Sequence, residues 1–144
     1  MNVPRVTVVI PLYNKAPYIA AAVRSVLAQT FTDFEVIVVD DGSLDDGAEV
    51  VDRFDDPRLR LVRQENQGES AARNKGVTLA ASELLAFLDA DDEWTPSHLE
   101  VLLRLADRFP GAGLLATAYK IVSPDGRSCL AGYHGVPAAP WEGL

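Results

Sequence analysis

The chain has 144 residues, 48% apolar and 24% charged, with a formal net charge of −8. That length suits one domain with one core, and the composition excludes a disordered chain. The acidic balance, with no basic stripe to follow a phosphate backbone, argues against nucleic-acid binding.

Arg5–Leu12, "RVTVVIPL", is β-branched and continuous rather than alternating, which predicts a strand buried on both faces of a parallel sheet. "APYIAAAVRSVLAQT" follows, with Ile19, Val23, Val26 and Leu27 at helical spacing and Pro17 suited to the first turn. "FEVIVVDD" predicts a second buried strand, "DGSLDD" a turn full of capping residues, and "GAEVVDRF" a helix. Arg58–Arg63 reads as a third strand, "ENQGES" as a polar loop, and "SAARNKGVTLAAS" as a helix despite Gly76. "ELLAFLDA" reads as a fourth, buried strand. "TPSHLEVLLRLADRF" reads as a helix capped by Thr95, with Pro96 at its first position and Leu99, Leu102, Leu103 and Ala106 on its apolar face. "GLLATAYKIV" predicts a fifth strand, "SPDG" a turn, "RSCL" a short returning strand, and the Gly/Pro-rich tail irregular chain.

Strand and helix alternate four times before a last strand, which predicts an α/β domain with a mainly parallel sheet and right-handed crossovers. Ligands of such sheets bind beyond the carboxyl ends of the strands. Those ends are Pro11–Asn14, Asp40–Ser43, Arg63–Gly68 and Asp89–Asp92, all polar and two strongly acidic.

The sharpest feature is "LLAFLDADDEW", where an oily strand runs into clustered acids. Like charges packed together repel, so solvent or a bound cation must offset them. Asp89 and Asp91 are alternate residues of extended chain and can converge on Mg²⁺ or Mn²⁺; the plain alternative is a solvated loop and helix cap. Asp41, Ser43 or Asp45 either caps the next helix or accepts from a ligand N–H such as the imide of uracil. Tyr13 is either a core or surface aromatic or a platform for a flat base. Asn14 is a turn residue or a pocket residue. Arg73 and Asn74 are a solvated helix face or, for Arg73, positive charge beside a nucleotide. All of them fall at one edge of one sheet.

As a set, "VTVVIPLYNKAPYIAAAVRSVLAQTFTDFEVIVVDDGSLDD" and "NQGESAARNKGVTLAASELLAFLDADDEWTPSHLE" resemble the family 2 glycosyltransferases, with the blocks of the nucleotide-binding half in order from about Val6 to about Val122. The resemblance implies a GT-A fold, a Rossmann-like α/β/α sandwich, and inverting transfer of a sugar from a nucleoside diphosphate donor, UDP favoured, to an acceptor hydroxyl. By motif match, Pro11, Tyr13 and Asn14 line the base pocket, Asp41 accepts from the base with Asp40 beside it, and Arg73 and Asn74 face the nucleotide. Asp89, Ala90 and Asp91 form the D-x-D, with Asp89 and Asp91 engaging Mn²⁺ or Mg²⁺ and Asp91 the favoured direct ligand. Asp92 and Trp94 shape the rim.

The family's general base and acceptor part are expected beyond the fifth strand, and no residue of "SPDGRSCLAGYHGVPAAPWEGL" fits that base. The expectation is therefore a single, truncated domain over 1–144, with its nucleotide-binding half at about 5–122 and an irregular tail at 123–144. In this form it is an enzyme part or a nucleotide-sugar-binding module without catalysis. The acceptor is open among saccharide, lipid-linked and protein hydroxyls, and Leu114, Leu115, Tyr119 and Ile121 are candidates for self-association through a surface exposed by truncation. A dinucleotide-binding oxidoreductase is disfavoured because no G-x-G-x-x-G follows the first strand. A nucleotidyltransferase would want a Gly-rich, basic loop where "PLYNKAPY" stands.

The lone Cys129 allows no intrachain disulfide and fits a reducing compartment. "VTVVI" is too short for a signal-peptide core, and no apolar run approaches the roughly 20 residues of a membrane span. The expected location is cytoplasmic, peripheral membrane association through further sequence being left open.

Overall fold

A computed structural model of the chain describes residues 3–123 and 125–130. Two compact units divide after Arg104.

The first unit holds a four-stranded, all-parallel sheet. Its strands are β1 (Val6–Leu12), β2 (Phe34–Asp40), β3 (Leu59–Arg63) and β4 (Leu84–Phe87), in the spatial order β3-β2-β1-β4. Val6 pairs with Phe34 on one side and with Leu84 on the other, so β1, β2 and β4 run from one level of the sheet, and β3 starts two positions further along, Leu59 opposite Val36. The continuous apolar runs in β1 and β2 have the cause expected of them. Every residue of β1 is buried, and only Glu35 of β2 is not fully buried.

Alternation within those runs sends side chains to two faces. Val6, Val8, Ile10 and Leu12 pack with Val36 and Val38 against α1 (Ala16–Leu27), Val51 of α2 (Gly47–Asp52) and Leu99 of α4 (His98–Arg108). Ile37 and Val39 pack on the opposite face with Ala72 of α3 (Glu69–Leu79). Chain direction explains this division. The first two crossovers step one way across the sheet, while the third returns past β1 to reach β4. Right-handed connections therefore put α3 on the face opposite α1 and α2. This is the α/β architecture the sequence predicts.

Gly76, an unfavourable residue inside a helix, has a packing reason. A Cβ there would lie 2.3 Å from Val9 Cγ1, so only glycine lets α3 settle on β1.

Three expectations need correction. The helix expected from Thr95 begins at His98, and Thr95 does not cap it with its side chain: its carbonyl accepts the His98 N–H in a turn. The open N–H of Leu99 goes instead to Oε1 of Gln29, a buried residue just past the end of α1 that also donates to the Thr95 carbonyl. The fourth strand is a partly exposed edge rather than a buried strand, with Leu84 and Phe87 open on it.

The fifth strand, expected over 113–122, is reduced to β5 (Lys120–Val122). It does not extend the parallel sheet but pairs antiparallel with β6 (Ser128–Leu130) in the second unit. The composition of 113–122 suits a strand, but pairing is available only where the chain folds back on itself. The expected turn and returning strand are there. Gly126, at φ 81°, donates to the Ser123 carbonyl, and Asp125 binds both the backbone N–H and the Nε of Arg127. The tail from 131 onward lies outside the described residues.

Candidate functional site

Four loops leave the carboxyl ends of the sheet, and a cleft of about 460 Å³ lies among them. Pro11, Leu12 and Tyr13 come from the end of β1, with Lys15 just beyond. Asp41 comes from the end of β2. Asn66 and Gly68 come from the β3–α3 connection, Glu69 and Ala72 from the first turn of α3, and Asp89, Ala90 and Asp91 follow β4.

Asp41 organises one wall. It is 2% exposed. Its Oδ1 accepts from Gln64 Nε2 and from the Gln67 backbone N–H, and its Oδ2 accepts from the Gly68 N–H at 2.8 Å. Burial pushes its pKa up, but these three donors outweigh burial and hold the carboxyl below the ordinary value. Next to it, Gly42 adopts φ 72°, and a Cβ there would meet the Asn66 backbone nitrogen at 2.9 Å. Loop 64–68 thus lies tight against the end of β2, with Asn66 turned to the cleft.

The other wall carries the clustered acids. Asp91 receives the Lys15 ammonium, whose hydrogen bond and charge lower the Asp91 pKa while Lys15 itself is raised. Asp89 receives Arg73 at 2.6 Å, and Arg73 also holds Glu69. Asp92 has no such partner among the described residues: burial first, then the charges of Asp89 and Asp91, raise its pKa. The repulsion posed by "DADDEW" is therefore met in part by two side chains of this chain, Lys15 and Arg73.

Six of the residues singled out in the sequence line the cleft together: Pro11, Tyr13, Asp41, Asp89, Ala90 and Asp91. Arg73 stands behind them, bridging two lining carboxylates. Asn14 and Asp40 brace the adjoining turn. Asn14, at φ 52°, donates its N–H to Ser43 Oγ and accepts the Leu44 N–H on its Oδ1, while Asp40 Oδ1 accepts the Ser43 N–H. Asn74 is exposed on α3 and is not among the lining residues. Asp45 links two helix starts through Ala16 N–H and Gly47 N–H. Trp94 and His98 stack at 4.4 Å outside the cleft lining. Lys15, Asn66, Gly68 and Glu69 are lining residues not singled out in the sequence; the only signal for three of them is that they occupy or follow the third strand end.

Asp89 and Asp91 offer hard oxygens and are 47% and 41% exposed. Among the described residues no group of three His, Cys, Asp or Glu side chains is placed to hold an ion by itself. Two carboxylates with open positions fit Mg²⁺ or Mn²⁺, which keep waters and take further oxygens from phosphates. They do not fit a Zn²⁺ centre.

Residues 7–128 match the family described as Glycosyl transferase family 2. The chain belongs to this family. An uncharacterized glycosyltransferase of Nostoc sp. is 36% identical over 125 residues, covering 85% of this chain and 38% of that protein. Among solved structures, TarS of S. aureus in complex with UDP has a TM-score of 0.69 at 26% identity, over 85% of this chain and 43% of the TarS chain. The mannosyltransferase PcManGT of Pyrobaculum calidifontis, in complex with GDP-Man and Mn²⁺, has a TM-score of 0.60 at 35% identity, over 65% of this chain and 29% of that one. The fold is the GT-A fold expected of the family. The chain spans less than half the length of each of these three relatives. Among the described residues no helix is long and apolar enough to cross a membrane.

Proposed function

We propose that this chain is the donor-binding part of an inverting, divalent-metal-dependent glycosyltransferase, which takes a nucleoside diphosphate sugar, UDP-linked by preference, and passes the sugar to an acceptor hydroxyl. The observation that carries this reading is one cleft shared by Tyr13, Asp41, Asp89 and Asp91 at the carboxyl ends of three strands. Relatives solved with UDP and with GDP-Man and Mn²⁺ support it.

The residues divide the work by their chemistry. Tyr13, 44% exposed, offers a ring face for a base. Asp41 Oδ2 accepts only one bond and keeps acceptor capacity for a base N–H, while the Asn66 carboxamide brings both a donor and an acceptor to the same wall. Asp91, with Asp89, would hold Mn²⁺ or Mg²⁺. A divalent ion there supplies Lewis-acid neutralisation of the diphosphate as it leaves. Pro11 and Ala90 leave room at the floor, and Arg73 keeps Asp89 oriented. Asn14 and Asp40 support the pocket through the turn they brace, and Asn74 belongs to its outer edge.

A second reading has its own support. All four carboxylates lining the cleft, Asp41, Glu69, Asp89 and Asp91, are engaged by hydrogen bonds or ion pairs. None stands open as a general base for the acceptor hydroxyl. By itself the chain would then bind a nucleotide sugar without transferring it.

Calorimetric titration of UDP, with and without Mn²⁺, into the wild type and Asp91→Ala tests the donor-site reading. The expected result is binding that needs both the metal and Asp91. Binding indifferent to both would sink it. Sugar turnover by the same chain would rule out the second reading.

A further inference from the structure

Among the described residues lining the cleft, Lys15 is the one cation, and the same lining holds the carboxylates of Asp41, Glu69, Asp89 and Asp91. A diphosphate entering this cleft adds more negative charge. Arg73 is already committed to two carboxylates, Asp89 and Glu69. Among the described residues Lys15 makes one ion pair, to Asp91.

The lysine is built to change partners. Its backbone is fixed where α1 begins, its carbonyl accepting the N–H groups of Tyr18 and Ile19 at 2.9 and 3.0 Å. Its side chain is 40% exposed and lies 5.9 Å from the Tyr18 ring centre, so the ammonium can move without disturbing the core. It contacts the very carboxylate that the donor-site reading assigns to the divalent ion.

We infer that Lys15 makes divalent-ion binding and nucleoside-diphosphate binding depend on each other at Asp91. This rests on the donor-site reading above. With no diphosphate in the cleft, Lys15 competes with the ion for the Asp91 carboxylate. A diphosphate gives the ammonium a second anionic partner, and its transfer frees Asp91. Each ligand thereby removes an obstacle to the other, which is positive coupling between two binding equilibria. Lys15 suits this role better than Arg73, which two carboxylates hold in place, because its charge is compact and its stem flexible.

The test is Mn²⁺ binding followed by the electron paramagnetic resonance signal of the free ion, with and without UDP, on the whole chain. Wild type, Lys15→Met and Lys15→Arg are compared after their thermal unfolding has been matched. Lys15→Met is expected to bind Mn²⁺ alone about three- to tenfold more tightly, since an exposed competing charge is gone. The factor by which UDP tightens Mn²⁺ should shrink by a similar amount. Lys15→Arg, which keeps the charge, should stay close to wild type on both measures, whereas a merely structural role for the lysine stem would leave Lys15→Met close to wild type as well. If wild type binds UDP and Mn²⁺ but Lys15→Met binds Mn²⁺ alone no tighter, the coupling is wrong while the donor site stands. If wild type takes up Mn²⁺ but no UDP, the donor-site reading falls and the coupling falls with it.

Discussion

Asp41 Oδ2 accepts the backbone N–H of Gly68 at 2.8 Å, across a sequence separation of 27 residues. Together with the bonds from Gln64 and Gln67, it makes one buried carboxylate the anchor of the whole β3–α3 connection. Replacing Asp41 with Ala leaves three donors without their acceptor. Hydrogen bonds to a charged group contribute about 1.5–3 kcal/mol each in favourable cases, and loop relaxation recovers part of the loss. The expected outcome is a destabilisation of about 2–3 kcal/mol by urea unfolding, with faster amide exchange at Gln67 and Gly68.

The same residue predicts a pH dependence. Its folded pKa lies below the unfolded value, which is about 3.9. A depressed carboxylate contributes stability that is fully present above the unfolded pKa and is lost as pH falls through the folded one. The stability gap between wild type and Asp41→Asn should therefore be flat from neutral pH down to about 5, then narrow as the acid range is entered. Parallel curves across that range would count against the assignment.

At Gly76 two effects oppose each other. Alanine is better than glycine in a helix by roughly 1 kcal/mol. Overpacking a dense interface costs about 1–3 kcal/mol, and the added Cβ would sit 2.3 Å from Val9 Cγ1. Steric cost should win, so Gly76→Ala should lower the melting temperature. Adding Val9→Ala should recover part of the loss, because the two sites share one contact and their effects are not additive.

Arg73 separates stability from binding. Its ion pairs to Glu69 and Asp89 are substantially exposed, and such pairs contribute about 0–1 kcal/mol. Arg73→Ala should unfold within a few degrees of wild type. It should still bind UDP with Mn²⁺ several-fold more weakly, because Asp89 loses the group that orients it. Unchanged affinity in the calorimeter would place Arg73 outside the donor site.

Much of this molecule was readable before its coordinates. The unbroken apolar runs of β1 and β2 specify strands covered on both faces, and the alternation of strand and helix specifies parallel pairing. The strand-end rule then led to Pro11, Tyr13, Asp41, Asp89 and Asp91, which do share a cleft. What escaped reading depends on contacts distant in sequence. Gln29 supplies the acceptor for α4 that Thr95 was expected to provide. Residues 113–119 have strand composition without the pairing that would make them a strand. Lys15 and Asn66 reach the cleft because of where their loops are tied, and the knot for Asn66 is a carboxylate 25 positions away. Asn14 and Asp40 carry polar side chains at the right strand ends, yet local turn bonds occupy them, and composition alone does not distinguish a brace from a wall.

β4 is an edge strand and pairs with β1 over only four positions, whereas β1 and β2 share seven and the other edge strand, β3, shares five with β2. The acids that follow it are thus carried on the least anchored strand of the sheet. Fraying of this edge would dissolve the acidic wall of the cleft while β1, β2 and β3, and the base-side wall built by Asp41, stayed intact. The cleft can therefore come apart one wall at a time, and loss of metal-dependent binding on warming should precede loss of the fold.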